Sequence, residues 1–414
     1  MTESMLRELY IKHELDTSKQ FSKPALAEVG GELAFKAKLF SSEVTGFHLS
    51  STQGHGQLPS EAKKARLVDR AASTSLVATT SFQPPTTTVS RALQVRQSQN
   101  VEEEISQSHR EWKLYRVIGA HRGVAKTVAV DPSNRFFATG GMDNVIKMFD
   151  LATGKFLMDF PGHTHSVRAL AFSQRHALLF SASEDKQIKC WDLERNQPVL
   201  GFHGHTAGVY SLAVHPTLDL IVSGGRDNCV RVWDMRTRTN VHVLQGHKDS
   251  VVSLGVQPNE PQITSGSEDA TVRLWDLSKA QCRHTLTHHK RGVRALAIHP
   301  TEFAFCSAST NSIKKFAYPA GTLMQNFNFE SMGGGLIHSM QIRQSGELAV
   351  SGSEDGMLRF WDWKSGRLAQ QLKMRTVPGS LENEHAITAL AFDMTGDRLI
   401  CCVGDKSVQM FQPI

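Results

Sequence analysis

The sequence predicts an all-β fold: a propeller of seven four-stranded blades, preceded by a largely disordered N-terminal arm containing short helices. Three observations predict it. Histidine recurs every 42 residues, at His121, His163, His205, His247 and His289. Each stands 22 residues before a turn acid or its amide, at Asp143, Asp185, Asp227, Asp269 and Asn311. An aromatic residue then closes each unit, at Phe149, Trp191, Trp233, Trp275, Phe316, Trp361 and Phe411. Periodicity of this length marks one structural unit repeated around an axis.

The arm comes first in the chain. Residues 3–18 place Met5, Leu6, Leu9 and Tyr10 on one side of a short helix. Residues 60–72 open on a serine cap and predict a second, basic helix. The sequence between and after them, including 82–90, is rich in Ser, Thr and Gln. It buries too little apolar surface to offset its ordering entropy. Residues 1–111 are therefore expected to be disordered alone and to dock short helices on partners.

From residue 112 the pattern is strands and turns, and the second repeat shows the unit. An alternating run (Val167, Ala169, Leu170, Phe172) precedes a small-residue strand at 178–185. A third strand at 187–193 carries Trp191, and a fourth follows at 198–202. Four antiparallel strands make one propeller blade. His163, Ser181, Asp185 and Trp191 are expected to form a hydrogen-bonded chain inside it, since buried polar groups are tolerated only when partnered. The seventh repeat has no fourth strand after Phe411. Residues 112–118 have strand composition and are expected to pair there, closing a propeller over 112–414 and removing an exposed sheet edge.

Three repeats depart from the pattern. The fifth has Asn311 for the acid, a turn one residue shorter, and Phe316-Ala317 for the aromatic-acid pair. The sixth has Met332 and three glycines at 333–335 where the Gly-His belongs, and the seventh keeps His385 but ends Phe411-Gln412. The loop at 376–384 stretches the last interval between aromatics to 50 residues. An insertion on a rigid ring is a usual place for a binding element.

The formal charge is +6, and the excess lies wholly in residues 112–414, where 33 Lys and Arg face 27 Asp and Glu. A basic folded part favours acidic partners, nucleic acid or protein. The six cysteines show no metal-ligand grouping and fit a reducing compartment. No apolar run approaches membrane-spanning length. One histidine per blade is too widely spaced for any two to share a metal ion. No nucleophile elbow, phosphate-binding loop or Cys/His pair appears. The chain is thus expected to be no enzyme and to need no metal or cofactor, and its function falls to its surfaces.

Gly162-His163, Gly204-His205 and Gly246-His247, with Trp191-Asp192, Trp233-Asp234 and Trp275-Asp276, resemble the signature of the WD-repeat family. In that family the residue before the turn acid, and those shortly after the histidine, tend to face the narrow top of the ring. The resemblance puts Met142, Glu184, Arg226, Glu268, Thr310, Glu354 and Gly404 in the first set. Lys126, Arg168, Tyr210 and Arg294 are in the second. Arginine and tyrosine are typical interface anchors. An equal alternative is that these residues make blade-to-blade salt bridges, Glu184 or Glu268 with a neighbouring arginine. Pro378 and Gly379 of the last loop complete the candidate surface, with Arg236.

A narrower resemblance rests on residues 112–118, 179–194, 208–227, 230–237, 260–277 and 377–381, which look like the pleiotropic regulator family of spliceosomal WD-repeat subunits. It implies a nuclear, non-catalytic scaffold of pre-mRNA splicing, monomeric within a large complex. Splicing factors of the nineteen-associated machinery would be its partners, with small nuclear RNA nearby. Trp233-Asp234-Met235-Arg236 also matches the signature of propellers that serve as substrate receptors of cullin–RING ubiquitin ligases. That is the alternative role.

Overall fold

The computed structural model describes residues 110–414, apart from 261, 311, 328–334, 378, 380 and 381 and the side chains of 382 and 383. The helices expected at 3–18 and 60–72, and the polar stretch 82–90, lie outside the described residues.

Seven four-stranded antiparallel sheets form the blades of a β-propeller. Blades one to six are consecutive in sequence, covering residues 125–160, 167–202, 209–245, 251–286, 293–327 and 337–373. The innermost strand of each blade lies against that of the next, and the seventh returns to the first, so the ring is closed.

The core is a set of layers between blades rather than one central cluster. Val222, Val230, Val232 and Leu244 of blade three pack against Val251, Ile263 and Trp275 of blade four, all 1% exposed or less. Small residues in each second strand permit this approach. A Cβ on Gly224 would lie 2.6 Å from Val251 Cγ1, closer than carbon atoms pack, so a side chain there would push two blades apart.

Blade seven is composite. Strand β1 (Trp112–Gly119) pairs antiparallel with the strand Ser407–Pro413, from Trp112 opposite Pro413 to Gly119 opposite Ser407. The strand expected at 112–118 thus supplies the missing fourth member. Trp112 also latches this seam to blade six. Its N–H donates to Gln370 Oε1 at 2.8 Å, Gln370 Nε2 donates to its carbonyl at 2.9 Å, and its ring stacks on Phe360 at 5.4 Å.

The histidines act as internal fasteners. In blade two His163 Nδ1 meets Asp185 at 2.7 Å and Nε2 meets Ser181 Oγ at 2.7 Å, while Trp191 Nε1 donates to the same hydroxyl at 2.8 Å. Blades three and four repeat this with His205, Ser223, Asp227 and Trp233, and with His247, Ser265, Asp269 and Trp275. Blade one substitutes Thr139, and Phe149 has no N–H to offer. In blade five Ser312 Oγ stands 3.1 Å from His289 Nδ1 and does what the carboxylate does elsewhere. Asn311, expected in that role, lies outside the described residues. Blade six replaces the histidine with Arg359, 1% exposed, which donates to Ser353 Oγ at 2.7 Å and Asp355 at 2.8 Å. In blade seven Asp405 accepts from the Val377 N–H at 3.2 Å, and Gln409 Nε2 donates to the Arg375 carbonyl at 2.5 Å. The start of the long loop is thereby tied down on that blade.

Candidate interaction surface at the channel mouth

Every innermost strand carries a β-bulge at its second residue. Pairing skips from Ala125 to Thr127, Val167 to Ala169, Val209 to Ser211, Val251 to Ser253, Val293 to Ala295, Ile337 to Ser339 and Ile387 to Ala389. A bulge leaves one residue out of the ladder and re-aims its side chain. The seven extra residues are Lys126, Arg168, Tyr210, Val252, Arg294, His338 and Thr388. One comes from each blade, at the same height, around the top mouth of the axial channel.

Four of these were legible as candidates: Lys126, Arg168, Tyr210 and Arg294. Val252 stands at the same five-residue step after His247 but is apolar, His338 has no preceding histidine to mark it, and Thr388 follows His385 by only three residues, so these three were not among the candidates. Counting back 17 residues from each turn acid finds all seven, for example Asp355 to His338 and Asp405 to Thr388.

The mouth is basic and crowded. Arg168 Nε donates to Glu184 Oε1 at 2.7 Å within blade two, and the Arg168 guanidinium lies 5.3 Å from the Tyr210 ring centroid. Arg294 reaches across to Glu268 of blade four at 3.1 Å. The expected blade-to-blade bridge is thus formed by Glu268, whereas Glu184 departs from that expectation and pairs within its own blade, where Arg168 stands on the neighbouring strand. Burial, reinforced by the Arg168 charge, lowers the pKa of Lys126, and Glu184 opposes the effect. Burial and the Arg294 charge likewise lower His338, with Lys126 adding and Glu354 opposing. Glu184 is pushed up by burial but held below its usual value by hydrogen bonds from Ser166 and Arg168. Three cations and a histidine therefore feel one another across four blades, and an arriving anion would relieve that repulsion.

The remaining candidates fall elsewhere. Arg226 is exposed on the top rim beside Asp227. Arg236 follows the third strand of blade three, so it sits on the opposite face and does not join the mouth. Gly379 is exposed with φ of +96°, a left-handed conformation that favours glycine. Pro378 lies outside the described residues.

Among the described residues no group of three or more His, Cys, Asp or Glu side chains could hold a metal ion. Cys190, Cys306, Cys401 and Cys402 are buried as free thiols, and desolvation drives their pKa values far up, Cys190 to about 12. These thiols are packing residues and poor nucleophiles. No helix among the described residues is long and apolar enough to cross a membrane.

Comparison with known proteins agrees with this architecture. The profile of the WD domain, G-beta repeat, matches residues 112–150, 154–192, 196–234, 238–276, 280–316 and 325–362. It passes over the seventh unit, where Cys401 replaces the serine and the long loop breaks the spacing. Pre-mRNA-splicing factor PRP46 of Eremothecium gossypii is 62% identical over 317 residues, covering 76% of this chain and 74% of that protein. The protein of the same name from Saccharomyces cerevisiae is 59% identical over 332 residues, 80% of this chain and 72% of its own length. Pleiotropic regulator 1 of Homo sapiens is 41% identical over 110 residues, 27% of this chain. On the repeat architecture, the internal fasteners and these identities, the chain belongs to the WD-repeat family and, within it, to the family of pre-mRNA-splicing factor PRP46.

Proposed function

We propose that this protein is a non-catalytic scaffold subunit of the spliceosome that supports pre-mRNA splicing in the nucleus. The observation that carries the reading is its 62% identity, over three quarters of both chains, to a relative named as a pre-mRNA-splicing factor. The geometry fits a scaffold. A closed ring holds the bulged residues at fixed spacing, so little side-chain and loop entropy remains to be lost when a partner docks. Contacts from the arm and the ring would then add through high effective concentration, and weak individual sites suffice. The partners in this reading are splicing factors of the nineteen-associated machinery, with RNA contact included. Affinity purification of the full chain from nuclear extract at near-physiological salt tests it. Recovery of splicing proteins with small nuclear RNA is the expected result.

A second reading rests on the exposed Arg236 after Trp233-Asp234, as in substrate receptors of cullin–RING ligases. Recovery of a cullin adaptor without RNA, abolished by Arg236→Glu, would replace the first reading with this one.

A further inference from the structure

The two faces of the ring differ in the side chains they expose. Six exposed cations crown the top rim across five successive blades: Arg122, Lys186, Arg226, Lys248, Lys290 and Arg291. Arg122, Lys248, Lys290 and Arg291 follow the fastening histidines, while Lys186 and Arg226 flank the turn acids. None of the six forms an ion pair with another described residue. The opposite face carries exposed cations without an ion pair to another described residue too, among them Arg236, Lys279, Lys364 and Arg367, beside the pairs Arg175–Asp219, Arg195–Asp192 and Arg343–Asp397. That face also exposes Leu218, Phe303 and Met394, whereas the large apolar side chains exposed on the top rim, among the described residues, are Met142 and Val377.

We propose that the top rim and channel mouth form a binding surface for single-stranded RNA, the rim cations meeting successive phosphates and the Arg168–Tyr210 pair offering a stacking platform. Protein interfaces have an apolar core from which charge is depleted. A dispersed crown of long, unpaired cations around an aromatic residue lacks such a core and suits a polyanion with exposed bases. The lowered pKa of Lys126 fits, since burial and the Arg168 charge outweigh the opposing Glu184, and a phosphate would add to the Glu184 side. The inference rests on the splicing function only for the expectation that RNA is the nucleic acid met.

The test measures binding of the full-length chain to a fluorescent, mixed-sequence, single-stranded 20-mer RNA over a range of salt concentrations. The rim variant combines Lys186→Gln, Arg226→Gln, Lys248→Gln and Lys290→Gln. A variant of equal charge change on the opposite face, Arg236→Gln, Lys279→Gln, Lys364→Gln and Arg367→Gln, is the control. Thermal midpoints establish that both fold. The rim variant should lose at least about ten-fold in affinity at roughly 0.1 M salt. The slope of log K against log salt should shrink by about 3, since each phosphate contact contributes about 0.7 for single strands. The control should change by less than about two-fold. Equal losses in both variants, or none in the rim variant, would overturn the proposal. So would polyglutamate of equal charge competing as well as RNA, because the rim would then be a dock for acidic protein. A chain that recovers splicing factors yet binds no RNA at the rim defeats this inference alone. One that binds RNA there but recovers no splicing factors defeats the proposed function alone.

Discussion

Replacing Ser223 with alanine should destabilise the ring more than replacing Ser307, although both side chains are fully buried. Asp227 at 2.8 Å holds the proton of His205 on Nδ1, so Nε2 must accept, and the Ser223 hydroxyl donates to it at 2.7 Å. The same oxygen accepts the Trp233 Nε1–H at 2.8 Å. Ser223→Ala therefore orphans two buried polar groups, each costing about 1–3 kcal/mol, or about 2–6 kcal/mol in total. In blade five Ser307 contacts His289 Nε2 at 2.6 Å, and the aromatic position holds Phe316, which has no N–H. Ser307→Ala orphans one group, at about 1–3 kcal/mol. A double-mutant cycle isolates the difference. Trp233→Phe should cost about 1–3 kcal/mol less in the Ser223→Ala background than alone, because the orphaned N–H leaves with the indole. Urea unfolding with a constant m value gives the energies. Amide exchange in blade three locates the loss, which matters in a ring whose blades can open separately. Equal costs for the two serines, or zero coupling in the cycle, would refute the reasoning.

Acidification should loosen blade five first. Burial, with the Lys314 and His288 charges, lowers His289 to about 4, below its unfolded value near 6.5. The neutral ring is the form the fold favours, so its contribution is complete above pH about 6.5 and fades as pH falls toward 4. Amide protection there that is unchanged between pH 7 and 5 would contradict this. Asp269 acts lower: burial raises it, but bonds from Thr271, the Lys248 N–H and His247 outweigh that and hold it at about 2. Its contribution is present above pH about 4 and lost between about 4 and 2, which a pH series of unfolding midpoints reads. Trp112→Ala removes the buried latch of the closing strand and should cost about 3–5 kcal/mol by the same urea assay. Deletion through residue 118 should prevent a stable monomer, seen by size-exclusion chromatography, while deletion of 1–108 should preserve it. Arg294→Ala should leave unfolding within about 1 kcal/mol of the parent, because an exposed ion pair contributes about that much or less. A larger loss would make Arg294 a structural tie between blades four and five.

The ring was readable because its fasteners impose arithmetic. A histidine, a hydroxyl, an acid and an indole can bond only if the strands between them keep fixed lengths, and the 42-residue period is the trace of that demand. The same demand explains where reading stopped. Arg359 does in blade six what a histidine does elsewhere, yet it lies on the third strand, so no spacing rule announced it. Ser312 replaces a carboxylate by proximity, which only coordinates reveal. Blade-to-blade glutamate bridges were foreseen as a type. That Arg168 turns to its own blade while Arg294 reaches to its neighbour depends on side-chain paths that periodicity does not record.

The composite seventh blade also sets a timetable for synthesis. Its first strand is made long before its partner, and at about 5–20 residues per second the roughly 290 residues between them take about 15–60 s to translate. Blades one to six need only local hairpins and can assemble in order behind the growing end. Throughout that interval β1 has no partner for its hydrogen-bonding edge, and it carries Tyr115 and Val117, which stay partly exposed even in the finished ring. The strand that closes the ring is therefore the one most open to wrong pairing while the chain is being made. A cell producing this protein has reason to keep that stretch shielded until translation ends.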